Sequence, residues 1–400
     1  MISSTDRRPD DAGVPGGVRR LRLLQLASLV STCDRFAIAP LLVPIAADLG
    51  VPLATAAAVA GGYFLAYGLL QVVWGVVSDR LGRVRVMRMA LVGAVVGGAV
   101  SALAPTIAVL VAGRVVTGAC FAALIPASLV YVGDTWPERV RQRPLSDVLA
   151  ASALGTAVAT AGAGLLADLI GWRAVFTVTA VAGVGLVVAL RGLPEPDRPE
   201  DEPGSAALLR PIAAVLATGW AWVILLLAFV EGAVVLAVLT YLAPTMQALG
   251  SSAAVAGLVS GAFGVAALLF SRVVRRLVGR VPPAGLALVG GGFLIIAWAA
   301  PSVAVNPVTV LTAGAGLGGA WAFLHSTLQT WATQVTPHAR ATAVALFATV
   351  LFLGSSAGTA LAAPLADAGE FDELFRVALA VSVPLVVAAV LARRRYGRTG

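Results

Sequence analysis

Twelve long apolar stretches follow one another along this chain and restrict what it can fold into. A helix needs roughly 20 mainly apolar residues to cross the ~30 Å hydrocarbon core of a bilayer. The chain is 59% hydrophobic and 12% charged, which is too apolar for the surface of a soluble protein. The apolar runs do not alternate with period two, as the strands of a membrane barrel do. The sequence therefore predicts an all-α membrane protein.

The apolar stretches are numbered here as spans 1 to 12 in chain order. Span 7 is longer than one crossing needs, which favours either a tilted helix or a helix with a cytoplasmic extension. The predicted ranges are 22–44, 53–78, 86–104, 107–133, 146–168, 173–191, 212–245, 253–272, 283–300, 305–333, 341–364 and 374–392.

Arginine side chains are concentrated in alternate loops. All 28 basic residues are arginines, and the opposite loops are nearly free of them apart from Arg173 and Arg376. By the positive-inside rule this distribution predicts cytoplasmic N and C termini and explains the net charge of +8 without nucleic-acid binding. Abundant Ala, Gly and Val without Lys indicates a GC-rich bacterial genome. We therefore expect a multi-pass protein of the bacterial cytoplasmic membrane.

A proline-rich polar segment divides the spans into two sets of six. The predicted organisation is a disordered cytoplasmic tail at 1–20, bundles at 21–191 and 211–393, a cytoplasmic linker at 192–210 and a tail at 394–400. The halves also resemble each other at an offset of 200 residues, and internal repeats are typical of membrane transporters. The pairs are Gly118 with Gly318, Ala122 with Ala322, and Pro137 with Pro337.

The loop after span 2 carries the most specific motif. Gly75, Asp79, Arg80, Gly82 and Arg83 form the pattern G-x-x-x-D-R-x-G-R, in which the glycines allow close helix packing and a tight turn. The motif resembles the loop between helices two and three of the major facilitator superfamily, which implies two pseudo-symmetric six-helix bundles. In that family the aspartate is thought to lock this loop to the start of helix eleven in one state. The resemblance implies a gating loop; the alternative is a basic anchor only.

Other segments resemble drug and metabolite exporters of the same superfamily. The segment that begins at Asp34 looks like the opening of many exporters, and Arg114 with Gly118 is similar to an R-x-x-x-G motif associated with proton coupling. Proton-driven drug antiporters usually carry Gly-Pro and a glycine pair in helix five. Here the aligned stretch, 159–164, lacks the Gly-Pro. The resemblance favours efflux of a drug, sugar or secondary metabolite in exchange for protons. The missing Gly-Pro keeps proton-coupled import as the alternative.

Charged residues inside the apolar stretches are few. Each costs at least ~2.5 kcal/mol near the bilayer centre and so needs a partner or a function. Asp34 and Arg114 lie at similar predicted depths and can meet. We predict that Asp34 carries the proton and Arg114 is its partner, so that Asp34→Asn abolishes gradient-driven transport and spares folding. The alternatives are a permanent structural pair, or compensation of Asp34 by the adjacent Arg35.

Glu231 lies near the middle of span 7 and is the third residue predicted to take part in proton coupling. In this prediction the Glu231 carboxylate either contacts the substrate or binds the proton. The alternative is a protonated carboxyl group that is hydrogen-bonded to a neighbouring helix. An unpaired negative charge at Glu231 would slightly favour cationic or amine substrates.

Two helix faces are predicted to line a substrate cavity. Residues at helical spacing share one face of span 10 and one face of span 2, although buried packing is the alternative for each. The predicted cavity residues are Tyr63, Tyr67, Gln71, His325 and Gln329.

Several other classes of function lack support in the sequence. It contains no nucleotide-binding P-loop, and its histidines are His325 and His338, so neither ATP-driven transport nor a metal site is expected. The sequence also shows no nucleophile with a matching base that would indicate an enzyme. We expect no cofactor beyond the proton motive force, and a monomer whose partners are protons, lipid and a small molecule that is lipophilic or cationic. A membrane sensor is the remote alternative.

Overall fold

The computed structural model describes residues 14–196 and 205–399, and the described chain folds into helices that confirm the predicted all-α membrane fold. Twelve of these helices are long and apolar enough to cross a membrane. Spans 1 to 12 run over Gly17–Leu49, Leu53–Leu81, Arg83–Ala102, Ile107–Thr135, Gln142–Leu169, Trp172–Gly192, Gly219–Ala248, Ala253–Leu277, Pro283–Val303, Pro307–Val335, Pro337–Asp367 and Phe371–Gly397.

The helix bounds differ from the prediction mainly beside the linker and the termini. A separate helix, Ser205–Leu216, precedes span 7, so the long seventh stretch is an extension followed by a span and not one tilted helix. Span 1 begins at Gly17, within the predicted tail, and the last helix, Phe371–Thr399, continues through most of the other predicted tail. Residues 1–13 of the first tail and linker residues 197–204 lie outside the described residues.

Packing inside the two halves follows the same scheme. In the first half, span 1 packs on span 5, span 4 on spans 2 and 3, and span 3 on span 6. In the second half, span 7 packs on span 11, span 10 on spans 8 and 9, and span 9 on span 12. Adding six to each number converts one set into the other, so the halves are pseudo-symmetric bundles.

The sequence repeat at an offset of 200 residues marks equivalent helix crossings. A Cβ atom on Gly118 would lie 2.6 Å from the carbonyl oxygen of Tyr63, and one on Gly318 would lie 2.5 Å from that of Phe263. Only glycine permits so close an approach of span 4 to span 2 and of span 10 to span 8. The repeated glycines are therefore explained by packing.

Spans 1, 4, 7 and 10 are interrupted near their middles. A 3₁₀ turn, Ala39–Leu41, includes Pro40 in span 1, and span 4 is broken just before Pro126, whose ring excludes a regular turn. Span 7 is broken at Val235, and span 10 contains a π-helical turn, Trp321–His325. Such irregular turns are frequent at functional sites. Three of these four spans, 1, 4 and 7, carry the charges predicted for proton coupling: Asp34, Arg114 and Glu231.

Candidate functional site

The two ends of the helical bundle differ in how the halves meet. We call the end with the span 2–3 loop and the linker the linker end, and the other end the opposite end. Near the middle of the bundle, Thr349 of span 11 donates a hydrogen bond to the carbonyl oxygen of Gly68 in span 2, at 2.9 Å. At the opposite end, the backbone N–H of Ala54 donates to Asp367 at 3.2 Å. Spans 2 and 11 are thus joined from the middle of the bundle to the opposite end.

Spans 5 and 8 form the second contact between the halves. Asp168, near the end of span 5, accepts hydrogen bonds from the backbone N–H groups of Ala253 and Ala254 at 3.1 and 2.8 Å. Further along, a Cβ atom on Gly257 would lie 2.2 Å from the carbonyl oxygen of Thr160. The helix backbones therefore touch, and the opposite end is closed.

The predicted gating loop lies at the linker end, and its residues Asp79 and Arg83 pair within their own half. Arg83 forms ion pairs with Asp79 and, at 3.1 Å, with Asp134 of span 4. Asp79 remains 59% exposed, and a Cβ atom on Gly75 would meet no atom within 4 Å. Gly82 adopts a φ of 102°, which fits its predicted turn. Asp79 and Arg80 are both exposed.

Asp34 and Arg114 form a fully buried ion pair between spans 1 and 4. The guanidinium group donates to both carboxylate oxygens, at 3.0 and 2.9 Å, and to the backbone carbonyl oxygen of Asp34 at 3.0 Å. Thr179 of span 6 also donates to the carboxylate at 3.0 Å. The rings of Tyr63 and Phe176 cover the guanidinium group at 4.6 and 4.8 Å. The two predicted partners therefore meet, enclosed by protein.

Glu231 and His325 form the corresponding pair between spans 7 and 10. The imidazole Nδ1 lies 3.2 Å from a carboxylate oxygen, and both side chains are buried. The imidazole ring stacks on Trp321, with ring centres 3.6 Å apart and planes 9° apart, and Phe347 lies on another side. Glu231 is thus paired, which removes the argument that its lone negative charge favours a cationic substrate.

The π-helical turn explains why span 10 departs from the predicted single face. An extra residue in the turn rotates the helix that follows relative to the helix that precedes it. Gly318, before the turn, packs against span 8, whereas His325, at its end, faces Glu231 of span 7. Gln329 follows on the linker side and is half-buried.

A small recess, open at its mouth, lies between the halves at the level of the interrupted spans. Its lining comes from spans 1, 2, 5, 7 and 8 and combines one cation, several hydroxyl groups and an apolar wall. The lining residues are Arg35, Phe36, Ile38, Ala39, Phe64, Thr156, Thr160, Leu236, Leu239, Thr240, Ser260 and Phe263.

The wall of this recess contains none of the residues that the sequence predicts to line a cavity. Tyr63 is buried against Arg114, and Tyr67 packs against Arg35 at 5.0 Å. Gln71 is half-buried, and its side-chain oxygen has no hydrogen-bond partner among the described residues. Their roles in substrate binding stay predictions.

Sequence reasoning missed Arg35 and the hydroxyl groups opposite it. Arg35 was considered only as a partner for Asp34, yet neighbouring residues of a helix point in different directions. The sequence does not show that Arg35 lacks a carboxylate partner, because the residues of the recess around it come from five spans. Thr160 and Ser260 lie in apolar stretches, where hydroxyl groups often bond to their own helix.

Comparisons with known proteins place this geometry in a family. The family model of the Major Facilitator Superfamily matches residues 24–397. A triacylglyceride transporter of Mycobacteroides abscessus is 30% identical over 203 residues, which are 48% of this chain and 40% of the relative. A triacylglyceride transporter of Mycolicibacterium smegmatis is 34% identical over 133 residues, which are 32% of this chain and 24% of the relative. Each match thus spans less than half of the relative's length.

Solved structures share the fold at low sequence identity. A nucleoside transporter matches with a TM-score of 0.79 at 14% identity, covering 93% of this chain and 99% of that one. A D-xylose–proton symporter matches with a TM-score of 0.75 at 17% identity, covering 94% and 97%. A bacterial homologue of the lysosomal transporter Spinster, in an inward-facing conformation, matches with a TM-score of 0.74 at 19% identity, covering 94% and 96%.

Proposed function

The chain belongs to the Major Facilitator Superfamily, and from this premise we propose that it exports a small lipophilic molecule in exchange for protons. Membership makes it a multi-pass transporter of the bacterial plasma membrane and not an enzyme. The proposal adds the direction, the coupling ion and the character of the substrate.

The observation that carries the proposal is the presence of two buried acid–base pairs at the interrupted spans. Asp34 with Arg114 and Glu231 with His325 each join the first and fourth spans of one half. A proton that neutralises either carboxylate removes the attraction holding the two spans in that arrangement. Because a charge left alone in a low-dielectric site is costly, the packing must then change. Proton binding can thereby be linked to movement of the helices.

Alternating access supplies the transport step. The present conformation is closed at the opposite end by the contacts of spans 2 with 11 and 5 with 8. Rocking of the halves about the recess would break these contacts and bring Asp79 to the start of span 11 at the linker end. The arginine-rich loops favour a cytoplasmic linker end, so we take this conformation as open to the cytoplasm.

A lipophilic substrate fits both the recess and the named relatives. Phe36, Phe64 and Phe263 supply an aromatic wall, and Leu236 and Leu239 extend it. The matched relatives are named triacylglyceride transporters, and their names support a substrate with a large apolar part. Import by proton symport is the second candidate, because span 5 lacks the Gly-Pro typical of antiporters.

The test compares accumulation of a labelled panel in cells that express the protein, with and without a protonophore. The panel contains lipophilic cations, amphiphilic anions, antibiotics and acylglycerols. We expect lower accumulation of at least one compound, abolished by the protonophore and by Asp34→Asn. Glu138→Gln is the matched control, because Glu138 is 86% exposed and pairs with Arg141 in a loop at the linker end. Higher accumulation that the protonophore prevents would establish import instead.

A further inference from the structure

Arg35 is a cation without a carboxylate partner in the recess between the halves. Within residues 14–196 and 205–399 no ion pair or hydrogen bond engages its guanidinium group, and its Nε is buried without a partner. The adjacent Asp34 is fully occupied by Arg114 and Thr179. The positive charge at this depth is therefore not neutralised by the protein.

Aromatic rings hold Arg35 in position without neutralising it. Its guanidinium carbon lies 5.0 Å from the ring centres of Phe36 and Tyr67, and 5.4 Å from that of Phe352. Such contacts compensate part of the cost of removing the cation from water and leave its N–H donors free. The planar fork of these donors matches the oxygens of a carboxylate or phosphate group.

Two hydroxyl groups in the same recess also lack partners. Thr160 of span 5 and Ser260 of span 8 are 5% and 2% exposed, and neither side-chain oxygen has a hydrogen-bond partner among the described residues. Both line the recess together with Arg35. Buried polar groups normally have partners, so these two hydroxyl groups are available to hydrogen-bond a ligand.

We propose that the recess binds an amphiphile whose single anionic group, a carboxylate or phosphate, is held by Arg35 and the hydroxyl groups of Thr160 and Ser260. The apolar body of the ligand lies against Phe64 and Phe263. This inference rests on the proposed transport function and names the substrate class. It replaces the cationic substrate considered from the sequence, because the negative charge of Glu231 is engaged by His325.

Equilibrium binding to the full chain in lipid nanodiscs tests the proposal. The probe is radiolabelled dodecyl phosphate, with empty nanodiscs as the background for partition into lipid. Competitors of matched length are dodecanoate, methyl dodecanoate and dodecylamine, and inorganic phosphate and acetate represent the anions alone. We expect dodecanoate to compete about 30-fold better than its methyl ester, since only the anion satisfies the buried charge. Equal competition by the ester, the amine or inorganic phosphate would overturn the proposal.

Variants assign the effect to Arg35. In Arg35→Gln the preference for the anion over the ester should disappear while binding of the ester is unchanged, and Arg35→Lys should keep most of the preference. Ser260→Ala should weaken binding of dodecyl phosphate several-fold. The matched control is Arg275→Gln, which removes an equal charge at an exposed position outside the recess. An unchanged preference in folded Arg35→Gln would contradict the proposal.

Failure of the anion-binding proposal is distinguishable from failure of proton-coupled transport. The binding assay uses no gradient, so its outcome is independent of coupling. If the anion preference is absent but Asp34→Asn still abolishes gradient-driven transport, the proposed function stands and only the substrate class is wrong.

Discussion

The acid–base pairs of the two halves occupy corresponding places but differ in chemistry. In the first half, Asp34 is held by both branches of Arg114, with the two closest contacts at 3.0 and 2.9 Å. In the second half, Glu231 has one contact of 3.2 Å with the imidazole of His325. Arginine stays protonated in proteins, whereas histidine ordinarily changes charge within the physiological pH range.

This difference assigns different tasks to equivalent positions. The pair in the first half has one group that can bind and release a proton, since Arg114 keeps its charge. The pair in the second half has two such groups, and its single contact is easier to rearrange. We therefore expect the first pair to be required for coupling and the second to set how transport depends on pH.

The largest effect is expected when the first pair is broken. Asp34→Asn removes the proton-binding carboxylate, so gradient-driven transport should be lost while the asparagine oxygen still accepts from Arg114. The buried guanidinium group then lacks a counter-charge, which lowers stability by about 2 kcal/mol. The double variant Asp34→Asn with Arg114→Gln should regain stability without regaining transport, as measured by thermal unfolding and by uptake into proteoliposomes. Gradient-driven uptake in Asp34→Asn would remove this pair from the mechanism.

A smaller effect is expected in the second pair. A hydrogen bond to a charged group contributes about 1.5 kcal/mol, so Glu231→Gln should slow gradient-driven transport about tenfold. His325→Asn should flatten the dependence of the transport rate on pH, because an amide that exchanges no proton replaces the imidazole. The readout is the initial transport rate between pH 5 and 8 in proteoliposomes. A pH profile in His325→Asn that matches the wild type would contradict the assignment.

The two crossings between the halves offer a third comparison. A Cβ atom on Gly257 would lie 2.2 Å from a carbonyl oxygen of span 5, whereas one on Gly68 would lie 2.9 Å from a carbonyl oxygen of span 11. Gly257→Ala should therefore separate the opposite end more than Gly68→Ala does and reduce transport about threefold. Spin labels at Ile170→Cys and Leu249→Cys, with the native cysteines replaced, should report a longer distance. Gly162→Ala is the control, because its Cβ would meet nothing within 4 Å.

The smallest effect is expected at the linker end. There the loop between the second and third spans of the first half contains an acidic residue, Asp79, and the corresponding loop of the second half does not. Asp79 is exposed and pairs with Arg83, and an exposed pair contributes up to about 1 kcal/mol. Asp79→Asn should leave the present conformation intact and weaken the state closed at the linker end, so transport slows about twofold. Spin labels across the linker end measure the population of the state that is closed there. An unchanged population with normal transport would assign Asp79 to topology alone.

The sequence predicts the large-scale fold well because lipid imposes simple rules. Span length, the polar linker and the repeat at Gly118 and Gly318 follow from hydrocarbon thickness and helix packing. The sequence does not separate the helix Ser205–Leu216 from span 7, because an apolar helix beside a span has the same composition as the span. The break at Val235 and the π-helical turn arise from contacts between helices, which one sequence does not display.

The candidate site was predictable in its charges but not in its contacts. Asp34 and Arg114 were expected to meet from their depths, and the structure joins them. Glu231 with His325 was not predicted as a pair, since the π-helical turn sets the direction of His325. Arg35 was not singled out, because whether a cation finds a partner depends on helices that are distant in sequence.

The central claim is that substrate and protons are exchanged across the membrane. Proton movement that follows substrate entry tests this claim most directly. A compound identified by the accumulation assay is added outside proteoliposomes that contain a pH-sensitive dye, with no imposed gradient. The account predicts that the interior becomes alkaline with the wild type, because protons leave as substrate enters, and that the signal is absent with Asp34→Asn. Substrate entry without a change in internal pH would contradict proton coupling, and an acidified interior would contradict exchange and establish symport.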